Sequence, residues 1–360
     1  MKISIGSRIV EGPWGGGNLF VLNFKNFLIE NGHEVIHDLC DKDIDIILLT
    51  DPRSRKESSS TFNHIDINRY KKYVNPQVTV IQRINECDER KDTDFINEFY
   101  LEASKCADHV IFVSEWLREI YLNIGIDEKK TSVIMSGADE RVFNKKDLVN
   151  FDNKKIKFVT HHWSSHSNKG FDIYLKFDEL LSNKKYENYQ FTYIGNVPDE
   201  VSFENVHVLN PLSGLELAKE IKNNNIYLTA SRNEPSGNHH IEAAQCGLPI
   251  LYLNSGGIPE YCEGFGVPFS DDFEVKLNEI VNNYELYKQN LNNYPFSSLA
   301  MCEEFFDRFK NVLVEKQNTN LKTKKTNFSF FVIFFNRCQK LFSLFNIRQS
   351  LKNNLKKLYK

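Results

Sequence analysis

Residues 226–249 read Ile226-Tyr-Leu-Thr-Ala-Ser-Arg-Asn-Glu-Pro-Ser-Gly-Asn-His-His-Ile-Glu-Ala-Ala-Gln-Cys-Gly-Leu-Pro249. The apolar, β-prone run Ile226–Ala230 meets a turn cluster of Ser231, Asn233, Pro235, Ser236 and Gly237. A helix-compatible segment follows from Asn238 to Cys246, and Gly247-Leu-Pro249 stops it. The order is strand, tight loop, helix. In that layout the backbone N–H groups of a helix start meet an anionic ligand outside the carboxyl end of a strand. Glu234 in the loop and Glu242 one turn into the helix bracket the unit, with seven residues between them. Asn238 is the expected cap, and Ser236 and Gly237 let the first turn approach a phosphate closely.

Glu234, seven residues, Glu242, then Ala243-Ala244 and Gly247-Leu-Pro249, with Gly256-Gly257-Ile-Pro-Glu260 soon after, resembles the E-x7-E signature of retaining glycosyltransferases of the family 4 type, which have the GT-B fold. The resemblance implies that Glu234 faces the transferred sugar and the pyrophosphate, while Glu242 hydrogen-bonds the ribose of the nucleotide. It also makes Ser236, Gly237, Asn238, His239, Gly256 and Gly257 donor-binding residues.

Working outward, the same alternation fills the chain. Lys2–Gly6 reads as a strand ending in Glu11-Gly-Pro-Trp-Gly-Gly-Gly17, and Asn18–Asn31 carries a helix-period apolar stripe. This is not the G-x-G-x-x-G dinucleotide fingerprint, so a nicotinamide site is not supported. By resemblance, Gly16 and Gly17 lie under the donor phosphates, and Trp14 faces the acceptor. Val78–Gln82 reads as a buried strand, and Arg83-Ile-Asn-Glu-Cys-Asp-Glu-Arg90 follows it into a cleft. Arg83, Asn85 and Glu86 are therefore acceptor-side candidates. Relatives place a sugar-binding His near here, and this loop has none.

The second half restarts at Ile156–Thr160, followed by a loop, His161-His-Trp-Ser-Ser-His166-Ser-Asn-Lys169-Gly170, and a helix over Phe171–Leu181. Three His at this spacing in a loop, with no carboxylate before Asp172, do not make a zinc site. The resemblance casts Lys169 as the cation that neutralises the leaving diphosphate. The Arg that relatives carry five or six residues earlier is missing, its place taken by His162, Trp163 or Ser164. Asp43-Ile-Asp45 and Asp92-Thr-Asp94 imitate a D-x-D metal motif but read better as solvated or capping charges, so no metal and no cofactor are expected.

Composition bounds the rest. The chain has 360 residues, 41% hydrophobic and 26% charged, which suits two soluble domains rather than one core. Its net charge of −3 conceals an asymmetry: residues 316–360 hold 11 Lys and Arg and no Asp or Glu. The body is thus acidic, and no nucleic-acid partner is expected. Aromatic and aliphatic residues set among those basic groups describe a helix lying on an anionic membrane surface. Seven scattered cysteines contain no C-x-x-C pair and indicate neither a disulfide framework nor a metal site. With no signal-peptide pattern at the start, the expected location is the cytoplasm, with peripheral attachment to the inner face of the membrane.

These readings predict an α/β protein with two Rossmann-like domains facing across a cleft. The expected units are 1–148 on the acceptor side, 149–295 for the nucleotide sugar, a helix over 296–315 crossing back to the first domain, and the basic amphipathic tail 316–360. The implied activity is retaining, metal-independent transfer of a sugar from a nucleoside diphosphate sugar of UDP or GDP type. The acceptor would be a glycan or lipid-linked sugar in cell-surface polysaccharide synthesis. Two rival readings fit the same fold: a nucleotide-sugar epimerase or hydrolase, and a non-catalytic nucleotide-sugar- or glycan-binding subunit of a membrane-associated complex.

Overall fold

The structure is a computed structural model that describes all residues except 11–14, 55–57, 153, 320–328 and 342–360. Twelve short strands make two separate six-stranded sheets among the described residues. The first contains β1 (Lys2–Ile5), β2 (Glu34–Ile36), β3 (Ile46–Leu49), β4 (Thr79–Ile84), β5 (His109–Phe112) and β6 (Thr131–Val133) in the order β2-β1-β3-β4-β5-β6. The second contains β7 (Ile156–His162), β8 (Tyr189–Gly195), β9 (His207–Leu209), β10 (Ile226–Thr229), β11 (Ile250–Leu253) and β12 (Gly266–Phe269) in the order β12-β11-β10-β7-β8-β9. Every pairing between these strands is parallel. Parallel strands need crossover helices on both faces, which explains why the strands read as unbroken apolar runs such as Ile46–Leu49, buried at all four positions.

In each sheet the chain reverses its direction of growth once, between β1 and β3 in the first and between β7 and β10 in the second. Adjacent connections there leave on opposite faces, so a crevice opens at the carboxyl ends of those strands. Strand periodicity assigns the faces. In β4, Val80 and Ile84 join one core, while Ile81 points into the other with Phe20, Phe24, Phe305 and Phe309.

The helix expected over 296–315 runs over Ser298–Thr319 and packs Phe305 and Phe309 onto Phe20 and Phe24 of the first helix, Gly16–Glu30. It continues past residue 315 because Lys316 is anchored by the Asp108 carboxylate at 2.6 Å and the Val78 carbonyl at 2.6 Å. After the last strand come two helices, Phe273–Asn282 and Tyr284–Asn290, that meet at Asn283.

The two sheets are tied near the cleft by groups that cap each other's backbone. Glu260 accepts hydrogen bonds from the N–H groups of Glu115 at 2.7 Å and Trp116 at 2.8 Å, satisfying donors at the start of the helix Glu115–Asn123. Tyr261 accepts from the Ser136 N–H at 2.9 Å and donates to the Val113 carbonyl. Ser114 caps the same helix by accepting from the Leu117 N–H.

Candidate functional site

A cleft of about 680 Å³ lies between the sheets and draws its walls from both. The first domain contributes Gly16, Gly17, Arg83, Asn85 and Glu86; the second contributes Lys169, Glu234, Ser236, Gly237, Asn238, His239 and Glu242. These candidates, up to 226 residues apart in sequence, share one cavity because each lies at or beyond the carboxyl end of a parallel strand. Trp14 lies outside the described residues. Gly256 and Gly257 are not brought to the cavity wall. They pass behind the Glu234 loop, where a Cβ on Gly256 would sit 2.6 Å from the Glu234 carbonyl oxygen and one on Gly257 would sit 2.3 Å from that of Pro235. Their place is to let two turns pack backbone to backbone.

Glu234 is the centre of the charge arrangement. Its carboxylate takes Lys169 Nζ at 2.6 Å and Arg90 Nε at 2.9 Å, and Arg90 in turn pairs with Glu86. Burial alone would push the Glu234 pKa up, but Arg90 and Lys169 outweigh it and hold the carboxyl far below the usual carboxylate range. Arg90 was not singled out by sequence reasoning. It supplies, from the first domain, a guanidinium in the region where the second domain lacks one before Lys169. The contact is braced by two hydrogen bonds from side-chain amides to neighbouring carbonyls, Asn168 to Arg90 at 3.1 Å and Asn233 to Glu89 at 3.1 Å.

The helix that carries Glu242 spans Asn238–Gln245. Asn238 does not cap it. Gly237 occupies the cap position with φ of 81°, a left-handed value that favours glycine, and no side chain caps the first turn. The first-turn N–H groups, beside cavity-lining Gly237, Asn238 and His239, thus keep no side-chain acceptor of their own. Across the cleft, Asn238 lies so close to Gly16 that a Cβ there would stand 2.6 Å from its Oδ1.

Glu242 is 5% exposed and accepts from His161 Nε2 at 2.9 Å. His161 Nδ1 lies 3.1 Å from the Tyr227 hydroxyl, which also accepts the His161 N–H at 3.0 Å. One neutral tautomer satisfies this chain: Tyr227 O–H donates to Nδ1, and Nε2–H donates to Glu242. Glu242 also lines the cavity. His161 and His162 were expected in a loop; β7 instead runs through both, in register with Ile194 and Gly195. They belong to a buried histidine group with His239 and His240. His162 Nε2 lies 2.7 Å from the Tyr174 hydroxyl, and His239 Nε2 lies 2.8 Å from Thr229 Oγ1. Among the described residues, no group of three or more His, Cys, Asp and Glu stands close enough to hold a metal ion.

With this geometry in view, comparison with known proteins gives the class. Residues 153–283 match the family model described as glycosyl transferases group 1. No curated protein matches the chain. Among solved structures, sucrose-phosphate synthase from Thermosynechococcus elongatus is 13% identical with a TM-score of 0.67, covering 87% of this chain and 99% of that one. The Anabaena protein HepE, solved with UDP and glucose, is 12% identical with a TM-score of 0.62, covering 86% and 99%. A glycosyltransferase from Rickettsia africae is 14% identical with a TM-score of 0.61, covering 87% and 98%. At these identities the likeness defines the fold, which is GT-B.

Proposed function

We propose that this chain is a retaining glycosyltransferase that moves a sugar from a nucleoside diphosphate sugar, of the UDP class, to a hydroxyl of a glycan or lipid-linked acceptor. The observation that carries the reading is the meeting of Glu234, Lys169 and Arg90 at one helix start, with Glu242 one turn further on in the same cavity. HepE, which shares the fold, has been solved with UDP and with UDP-glucose, and that supports the UDP class.

In this reading the nucleotide lies on the second domain. Glu242 accepts hydrogen bonds from the ribose hydroxyls, and the diphosphate lies against Lys169 and the N–H groups at Gly237 and Asn238. Glu234 orients the transferred sugar. The bond between the anomeric carbon and the diphosphate oxygen breaks, and the acceptor oxygen bonds the same carbon from the same face. The acceptor proton passes to the departing phosphate oxygen. The proposal includes no metal and no cofactor, since Lys169 and the helix start supply the positive charge that the leaving group needs.

Thermal shift of the purified chain against UDP, GDP, ADP and CMP, without added metal, tests the donor site. UDP is expected to raise the melting temperature by several degrees, and Glu242→Ala is expected to weaken UDP about 10–100-fold by removing a charged hydrogen-bond acceptor. No response to any of the four nucleotides would sink the assignment. Consumption of donor with no acceptor present would instead favour an epimerase or hydrolase.

We further propose peripheral attachment to an anionic membrane, in keeping with a place in cell-surface polysaccharide synthesis. Of the tail, residues 316–319 and 329–341 are described, and 329–341 is helical. Ile333 enters the first-domain core, Asn336 donates to the Leu39 carbonyl at 2.8 Å, and Lys340 pairs with Asp38. The same helix leaves Phe330, Phe331, Phe334, Phe335 and Leu341 exposed. Among the described residues, no helix is long and apolar enough to cross a membrane, so surface attachment is the mode proposed. Co-sedimentation should show binding to vesicles containing phosphatidylglycerol and not to phosphatidylcholine alone. Phe330→Ser with Phe334→Ser should weaken it on the order of tenfold or more. Equal binding to neutral vesicles would refute the electrostatic part.

A further inference from the structure

Among the described residues, four of the five Lys and Arg side chains on the cleft wall have a carboxylate partner. Arg53 pairs with Asp51 at 2.7 Å, Arg90 with Glu86 and Glu234, Lys91 with Glu86 at 3.4 Å, and Lys169 with Glu234. Arg83 is the exception. It sits near the carboxyl end of β4, on the face that carries Ile81 into the core. The residue is 5% exposed and lines the cavity, and its buried Nε has no hydrogen-bond partner among the described residues. No carboxylate or carbonyl among the described residues binds the rest of its guanidinium. Its contact is with the Phe20 ring, 4.2 Å from the guanidinium carbon.

A guanidinium removed from water without a directly bonded anion is costly, and burial pushes its pKa down to about 10 even though Tyr261 and the Glu86 carboxylate act in the opposite direction. A stack on an aromatic ring fixes the plane of the group but leaves its N–H donors unsatisfied. In the planar fork of an arginine those donors match two oxygens of a carboxylate or phosphate. The location decides whose oxyanion it is. Arg83 belongs to the first domain, beside Asn85, whereas Lys169, Glu242 and the helix start at Asn238 belong to the second.

We infer that Arg83 is a subsite for an oxyanion carried by the acceptor, a carboxylate or a phosphate, so that the enzyme takes an anionic glycan or phosphorylated sugar in preference to a neutral one. This rests on the donor placement proposed above. The class of reaction that supplies the acceptor must then install a uronic acid or a phosphate ester.

The test uses the full chain saturated with UDP, so that the donor site is filled before any anion is added. Glucuronate, inorganic phosphate and glucose are titrated separately, with calorimetry and melting temperature as readouts. At least one of the two anions is expected to bind, and glucose is not. The stronger anion identifies the substituent: glucuronate a carboxylate, inorganic phosphate a phosphate ester. Arg83→Gln should weaken that anion at least tenfold while changing UDP affinity by less than about twofold. Arg83→Met should melt at or above the wild-type temperature in the free protein, because it removes a buried charge that lacks a partner.

A tenfold loss of UDP affinity in Arg83→Gln would assign the arginine to the donor diphosphate and overturn the inference. So would a lower melting temperature for Arg83→Met, which marks a structural arginine, or glucose binding as tightly as either anion. If UDP binds but neither anion does, the subsite is refuted and the donor reading stands. If UDP itself does not bind, the donor reading fails and the inference falls with its premise.

Discussion

Glu234→Gln is expected to lower turnover by about 10²–10³-fold while leaving UDP affinity equal or tighter. The substitution keeps the shape of the side chain and removes its charge. That charge binds Lys169 and Arg90 at once in a buried position, so the free variant holds two cations with less compensation. The loss of stability should be about 3 kcal/mol, the low end for breaking a buried pair, because Arg90 keeps Glu86. A diphosphate restores the missing negative charge, so UDP should stabilise the variant more than it stabilises the wild type. Transfer nonetheless needs the sugar to be oriented, and the amide cannot accept from sugar hydroxyls as a carboxylate does.

The pH dependence gives an independent check. The folded pKa of Glu234 lies below its unfolded value near 4.5. Its contribution is therefore complete above that unfolded value and is lost as pH falls toward the folded one. Glu234→Gln should flatten this part of the stability curve. Steady-state rates and UDP calorimetry on the variant decide the matter. Unchanged turnover would reduce Glu234 to a structural ion partner.

The local parts of this arrangement were legible in the sequence. Strand, loop and helix around Glu234 and Glu242 follow from residues within one short stretch, and the parallel fold follows from repeating that unit. Arg90 was not legible. It lies 144 residues before Glu234, and nothing local separates it from Lys91; the choice between them is made by how the two domains face each other. His161 was misplaced for a related reason. Polar residues at a strand end look like a loop until their partners are known, and here Tyr227 and Glu242 allow the strand to continue. Asn238 is a good cap by type, but the positive φ at Gly237 moves the helix start by one residue. Gly256 and Gly257, which the family resemblance made donor-binding, serve instead for close packing behind the loop, where a Cβ on either would clash with backbone.

The histidine group makes the second large prediction: stability should fall steeply below about pH 6.5, before ordinary carboxylates titrate. Burial depresses the pKa of His162 and His239 well below the usual value, with Lys169 and the other histidines adding to the effect. His240 is pushed down to about 3, first by burial; Glu234 opposes the shift and Lys169 and His161 reinforce it. These groups stay neutral in the folded chain while the unfolded chain takes up protons below pH 6.5. Stability is therefore complete above that value and declines as pH falls, by at most about 1.4 kcal/mol per pH unit for each histidine.

Three such groups give an upper slope of about 4 kcal/mol per pH unit, against a total stability of about 5–15 kcal/mol for an ordinary domain. Unfolding between about pH 4 and 5 is the expected result, and urea midpoints at pH 7.5, 6 and 5 measure it. His240 offers the cleanest separation, since among the described residues neither ring nitrogen has a hydrogen-bond partner and its ring packs on Tyr261 and His239. His240→Leu loses no hydrogen bond, so it should match the wild type at pH 7.5 within about 1.5 kcal/mol. It should also remove about a third of the slope below pH 6.5. An unchanged slope would place the acid sensitivity elsewhere, and the buried histidines would then have to take up protons in the folded state with little penalty.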